Sequence, residues 1–203
     1  MNIRFFGDSA LLLEMKDFRA AQQWRQAIHK QSIPGILELV PGYDTLLVEY
    51  DPQRLDAAKF TRRLQKLAQI PIFPVDEREH HIEVRYNGVD LEDVARMTGL
   101  DIAEVVRCHS SVTYTVAFLG FAPGFSYLTG LDPKIRVPRL KSPRVRVPAG
   151  AVAIADEFVG IYPQATPGGW RILGHTDAVL FDTSRPAPAL FMPGDKVHFR
   201  PVA

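Results

Sequence analysis

Apolar and polar positions change period several times along the chain, and each change marks an element. Ile3 to Phe6 and Ala10 to Leu13 form two short apolar runs around a turn at Gly7-Asp8, the pattern of a hairpin. Phe18, Ala21, Trp24 and Ile28 then recur at helical spacing, which predicts one stripe facing a sheet with Arg19, Gln22, Gln23 and Gln26 turned outward. Pro34-Gly35 closes that helix. Leu37 to Val40 and Thr45 to Glu49 read as a second strand pair about Pro41-Gly42. Asp51-Pro52 supplies an N-cap and first-turn proline for a second helix, whose inner stripe is Ala57, Phe60, Leu64 and Leu67. Four strands and two helices in this order predict a small α+β layer with both helices on one sheet face.

Gln69 to Val75, followed by the charged Asp76 to Glu79, has the composition of a linker, so the expected domains are 1–75 and 76–203. Beyond it, Ile82 to Tyr86 is strand-like. Asp90 and Asp101 are N-cap residues for two short helices separated by Gly99, and Glu104 completes a capping box with Asp101. From Val112 the pattern becomes strict alternation, with Val112, Tyr114, Val116 and Phe118 between Thr113, Thr115 and Ala117. Nearly every later apolar run is short and bounded by Pro or Gly, which predicts a closed or nearly closed β-barrel.

Composition narrows the function classes. The 203 residues are 46% hydrophobic and 23% charged, enough for one substantial core or two small ones. A net charge of +1 provides no broad basic field for nucleic acid, so a bound anion needs a local constellation. No apolar run is long enough to span a bilayer, no signal-peptide pattern opens the chain, and the single Cys108 has no disulfide partner. A reducing, cytoplasmic setting follows as the expectation.

Candidate chemistry concentrates after the alternating strand. Gly120-Phe121-Ala122-Pro123-Gly124-Phe125-Ser126-Tyr127-Leu128 carries large flat side chains on a turn, suited either to lining a small pocket or to capping the barrel. Thr166-Pro167-Gly168-Gly169-Trp170 is a second glycine-rich segment, either an anion-binding loop or a hairpin turn; it lacks the Gly-Lys-Ser/Thr of a P-loop. His109 ends the Asp101-capped helix and His175 follows Trp170 to Gly174; each is a proton-transfer candidate or a structural residue. The one basic stretch holds Lys134, Arg136, Arg139, Lys141, Arg144 and Arg146, fit for an anion or for an interface with another protein. Adjacent His80 and His81 point to opposite faces of a strand, so no structural zinc site is expected, and no Gly-x-Ser-x-Gly elbow is present.

Together these motifs resemble the family that includes the B-type subunit of 5-oxoprolinase, the kinase A inhibitor and allophanate hydrolase subunit 1. The resemblance runs through Gly7-Asp8-Ser9-Ala10, Pro41-Gly42-Tyr43, His109, Gly120 to Leu128, Val147 to Ala155, Gly160 to Pro163, Thr166 to Trp170, Gly174-His175-Thr176 and Pro193-Gly194-Asp195. It implies an α+β protein, a small N-terminal α+β domain followed by a cyclophilin-like β-barrel, acting with the C-type barrel protein and the A-type protein of a 5-oxoprolinase. The implied activity is ATP-dependent opening of the 5-oxoproline lactam to glutamate, with ATP used at the level of the complex, no metal held by this chain, and little activity in isolation. Under it, His109 and His175 serve proton transfer or oxyanion contact and Arg144 a carboxylate or phosphate. Phe125, Tyr127 and Tyr162 are assigned to the pocket, and Thr166, Gly168, Gly169 and Trp170 to an anion-binding loop. The family also implies two other roles, inhibition of a histidine kinase and part of a urea- or allophanate-metabolising enzyme. This sequence departs from the pattern at Phe158-Val159, where the family has Gln-Thr, and at Ser126, where it has proline.

Overall fold

The computed structural model describes residues 2–66 and 77–203, and the chain divides into two compact units, Met1–Asp76 and Glu77–Ala203. The linker stretch Gln69 to Val75, and Leu67 of the second helical stripe, lie outside the described residues.

In the first unit, β1 (Asn2–Phe5), β2 (Ala10–Glu14), β4 (Thr45–Tyr50) and β3 (Ile36–Pro41) form one antiparallel sheet in that order. The hairpin register pairs Ile3 with Leu13. Leu11, Leu13, Leu46 and Val48 are fully buried on one face. Against that face pack Ile28 of α1 (Phe18–Lys30) and Phe60 and Leu64 of α2 (Ala57–Lys66), so both helices share it, as the stripes require. Two details differ from the sequence reading. Gln22 is buried at 4% exposure instead of facing outward, because the buried face of α1 runs through Phe18, Ala21, Gln22 and Ile28 and leaves Trp24 half-buried. The second helix starts at Ala57 with Asp56 accepting from the Lys59 N–H at 2.9 Å, while Asp51 instead accepts from Gln53 N–H in the preceding turn. The nearer aspartate wins because its carboxylate reaches the free N–H groups of the first helical turn.

The second unit is a closed seven-stranded barrel built from β5 (Glu79–Arg85), β6 (Tyr114–Leu119), β7 (Ser126–Thr129), β9 (Ala151–Ala155), β10 (Phe158–Ile161), β12 (Arg171–His175) and β13 (Lys196–Val202). Its order is β10-β7-β6-β13-β5-β12-β9, with β13 parallel to β5 from Lys196↔Glu79 to Val202↔Arg85. A separate two-stranded ribbon pairs β8 (Arg144–Val147) with β11 (Thr166–Gly168). The expected α+β class with an N-terminal layer and a barrel is therefore what the chain adopts.

Val84, Val116, Leu128, Ile154 and Leu173 fill the interior, joined by Val94 of α3 (Leu91–Thr98) and Val105 of α4 (Ile102–Ser110). Gly99, at φ +71°, ends α3, and the Asp101–Glu104 capping box opens α4. β9 is buried on both faces. Val152 and Ile154 point into the barrel, whereas Ala151 and Ala153 lie under an outer layer of Phe125, Tyr162 and Ile172. Small residues on that outer face leave room for the rings, and Gly160 does the same on β10: a Cβ there would meet the Phe125 ring at 2.7 Å. No helix among the described residues is long and apolar enough to cross a membrane.

Candidate anion pocket

Four separated stretches of sequence meet at one side of the barrel. Asp90, at the entrance to α3, is 2% exposed and makes no cap bond to its own helix. Its Oδ2 accepts from the Ile172 N–H of β12 at 2.7 Å, and its Oδ1 accepts from Arg144 Nη2 of β8 at 2.6 Å. The pairing draws a guanidinium from the ribbon onto the barrel wall and fixes it there, a charge-assisted bond in a partly desolvated place. Arg144 Nη1 is buried without a hydrogen-bond partner.

Arg144 and His175 line the same pocket, of about 260 Å³, with Arg146 and Asn87 at its polar side and Val89 and Ile172 among its apolar residues. His175 is held at both ring nitrogens. Arg85 Nη2 lies 3.3 Å from Nδ1, and Nε2 lies 3.1 Å from the Ala149 carbonyl oxygen. A guanidinium only donates and a carbonyl only accepts, so the Ala149 contact calls for an N–H on Nε2, while Nδ1 faces both Arg85 and, at 3.6 Å, Asp177 Oδ1. Asp177 accepts from the same Arg85 nitrogen with both oxygens at 2.8 Å, offsetting its charge.

Close backbone approaches make this cradle possible. Gly88 abuts the backbone of Ile172 and Leu173, and Gly174 abuts the Arg85 carbonyl. Gly150, at φ +79°, leaves space for the Thr176 carbonyl and the imidazole: a Cβ there would collide with the Thr176 oxygen and sit 2.6 Å from His175 Nε2. Gly150→Ala is expected to displace the His175 ring and to cost about 1–3 kcal/mol through the left-handed backbone. A moved His175 imidazole NMR signal with a lowered urea midpoint checks it; an unmoved signal would mean that the glycine does not position the ring.

Other sequence candidates fall elsewhere. His109 has no exposed surface; its Nδ1 and the Tyr86 hydroxyl share a hydrogen bond of 2.7 Å, its Nε2 is buried without a hydrogen-bond partner, and its ring packs 4.6 Å from Phe199. It sits on the inner stripe of α4 with Val105 and Cys108, so the proton-transfer assignment is corrected to a core position. Burial pushes its imidazole down from 6.5 to about 3, and burial also raises the Tyr86 phenol. Phe125 and Tyr162 are likewise buried, as the centre of the outer aromatic layer and not as pocket walls; Phe125 meets Tyr127, Tyr162 and Trp170 edge to face at 5.2–5.4 Å. Burial raises the Tyr162 phenol, opposed by the Trp170 backbone N–H and the charge of Arg144.

The glycine-rich segment is corrected too. Thr166 to Gly168 is a strand paired to β8, Thr166↔Val147 and Gly168↔Arg144, not an open anion loop. Gly168 is needed because the Tyr162 hydroxyl lies where a Cβ would be, Gly169 accepts from the Leu140 N–H at 2.7 Å, and neither glycine has positive φ. The segment therefore serves the site indirectly, by setting the register of Arg144. Tyr127 stacks on Phe118 at 4.3 Å, and the departing residue Phe158 meets Tyr127 at 5.7 Å while Val159 is buried inside the barrel, so neither member of that pair lines the pocket. Among the described residues no group of three His, Cys, Asp or Glu side chains is arranged to hold a metal ion.

Asp90 and Arg85 are the site residues that sequence reasoning missed. Asp90 carries a genuine helix-start signal, which hid its second use. Arg85 closes an alternating strand and has no local feature of its own.

The whole chain is similar to known proteins. It is 39% identical over 203 residues to the B-type subunit of 5-oxoprolinase from Escherichia coli O157:H7, covering 96% of this chain and 93% of that one. It superposes on the crystal structure of TTHA0988 with a TM-score of 0.86 and 37% identity, over 100% of this chain but only 40% of that longer one. A more distant relative is the urea amidolyase of Lachancea kluyveri, 25% identical over 97% of this chain and 13% of that protein. Residues 1–191 match the family model described as carboxyltransferase domain, subdomain C and D, and the chain belongs to that family.

Proposed function

We propose that this chain is one component of a cytoplasmic assembly that uses ATP to open 5-oxo-L-proline to L-glutamate, working with two partner proteins, one of them built on a related barrel. The observation that carries the reading is the near full-length similarity to the 5-oxoprolinase B-type subunit. The pocket at Arg144 supplies chemistry that fits it.

A lactam is a resonance-stabilised amide, and hydrolysis must place negative charge on its carbonyl oxygen. ATP relieves the difficulty when its terminal phosphoryl group is transferred to that oxygen with release of ADP; water then adds to the activated carbon, the ring C–N bond breaks with its nitrogen taking up a proton, and a second water hydrolyses the resulting acyl phosphate to the carboxylate and phosphate. Such a sequence needs a fixed cation for a carboxylate or phosphate and a directed donor for the developing oxyanion. Arg144, braced by Asp90, is the cation. His175, whose Nε2 meets the Ala149 carbonyl oxygen, is the donor, exchanging that contact for the substrate. ATP belongs to the assembly in this reading.

The test is glutamate formation from 5-oxo-L-proline by the reconstituted assembly carrying His175→Ala. Loss of one such donor is expected to lower kcat about 100-fold with assembly intact, in the range of removed oxyanion contacts. Unchanged turnover would remove His175 from the chemistry.

A further inference from the structure

We propose that the Arg144 pocket holds the carboxylate and ring of the small lactam substrate and leaves the nucleotide phosphates to another surface of the assembly; this rests on the reading above. Three observations decide between the two anions.

The first is charge. Two guanidiniums, Arg144 and Arg146, face the pocket, and the buried Asp90 carboxylate cancels one of them. Behind His175, Arg85 is offset by its pairing with Asp177. One net positive charge matches one carboxylate, while a triphosphate brings several negative charges that the remaining side chains leave unbalanced. Arg144 is moreover committed on Nη2 to Asp90, which fixes the guanidinium as a point of positive charge at the pocket wall.

The second is the wall. Val89, Ala151 and Ile172 line the same space as the cations. A small saturated ring gains from that surface, whereas a hydrated phosphate chain does not.

The third is size. At about 260 Å³ the pocket lies below the roughly 300–1,000 Å³ of sites for drug-sized ligands, which suits a five-membered ring better than an adenine nucleotide.

The experiment is paired. In the reconstituted assembly, Arg144→Lys and, separately, the exposed Arg146→Gln are each expected to raise KM for 5-oxo-L-proline by about tenfold while KM for ATP stays within about twofold. A raised KM for ATP with that for 5-oxo-L-proline unchanged would overturn the assignment, as would no change in either. Arg146→Gln guards against misfolding, because Arg146 makes no bond that holds Asp90. A second arm follows the His175 imidazole NMR signal of the full chain during titration with 5-oxo-L-proline, 2-pyrrolidinone and inorganic phosphate. Movement with 5-oxo-L-proline alone supports the assignment; movement with phosphate instead, or with none of the three, overturns it. If the wild-type assembly does not turn over 5-oxo-L-proline, the functional reading falls, and this second arm still decides which anion the pocket takes.

Discussion

Asp90→Ala is expected to destabilise the barrel by about 3 kcal/mol and to abolish turnover together. Breaking a buried ion pair by removing one partner costs about 3–5 kcal/mol because the other charge is left uncompensated, and the partial exposure of Arg144 places this case near the lower figure. The Ile172 N–H loses its acceptor at the same time, on the strand that ends at His175. Asp90→Asn keeps an acceptor oxygen for one of the two contacts and should lose markedly less stability. Urea unfolding of both variants, with circular dichroism as the probe, measures the difference. An Asp90→Ala protein as stable as wild type would show that the Arg144 pair does not hold the pocket together.

Acidification is the second large effect. The His109 imidazole is pushed down to about 3 by burial, against an ordinary 6.5. Below 6.5 the unfolded chain takes up a proton that the folded chain refuses, so the folded state loses ground as pH falls. The slope approaches about 1.4 kcal/mol per pH unit between roughly pH 6 and pH 3, and the contribution is fully present above 6.5. His109→Gln, whose amide can either donate to or accept from the Tyr86 hydroxyl, is expected to flatten that slope. The two proteins should therefore converge in stability toward low pH in urea titrations run at successive pH values. Parallel curves would mean that His109 is not the buried neutral group responsible.

The same residue shows where sequence reading stops. Val105, Cys108 and His109 recur at helical spacing, so the stripe is legible, but a histidine at a helix end also satisfies the helix dipole and looks solvated. Burial decides the matter. The strand alternation from Tyr114 onward and the stripes of both N-terminal helices are legible because each repeats a local period over several residues. The burial of Gln22 is not, since its polarity places it outside the apolar stripe while the buried face of α1 runs through it.

The pocket is half legible. Arg144 and His175 stand out as a cation in a proline-punctuated stretch and an imidazole beside glycines. Their meeting is not visible, because β12 lies between β5 and β9 and the β8–β11 ribbon sits apart from the barrel order. Only closure of the barrel brings Arg85 opposite His175, and only the Gly168↔Arg144 register carries the guanidinium to Asp90. The glycine-rich segment is special for a reason the sequence conceals: its glycines admit Tyr162 and a ribbon instead of cradling an anion.

The most direct test of the central claim is 5-oxo-L-proline-dependent ATP hydrolysis, measured with glutamate release, for this chain alone, for its partner proteins without it, and for the full mixture. Glutamate formed with ADP only when this chain is present with its partners is the expected result. A verified complete assembly that releases no glutamate, or partners that turn over equally well without this chain, would contradict it.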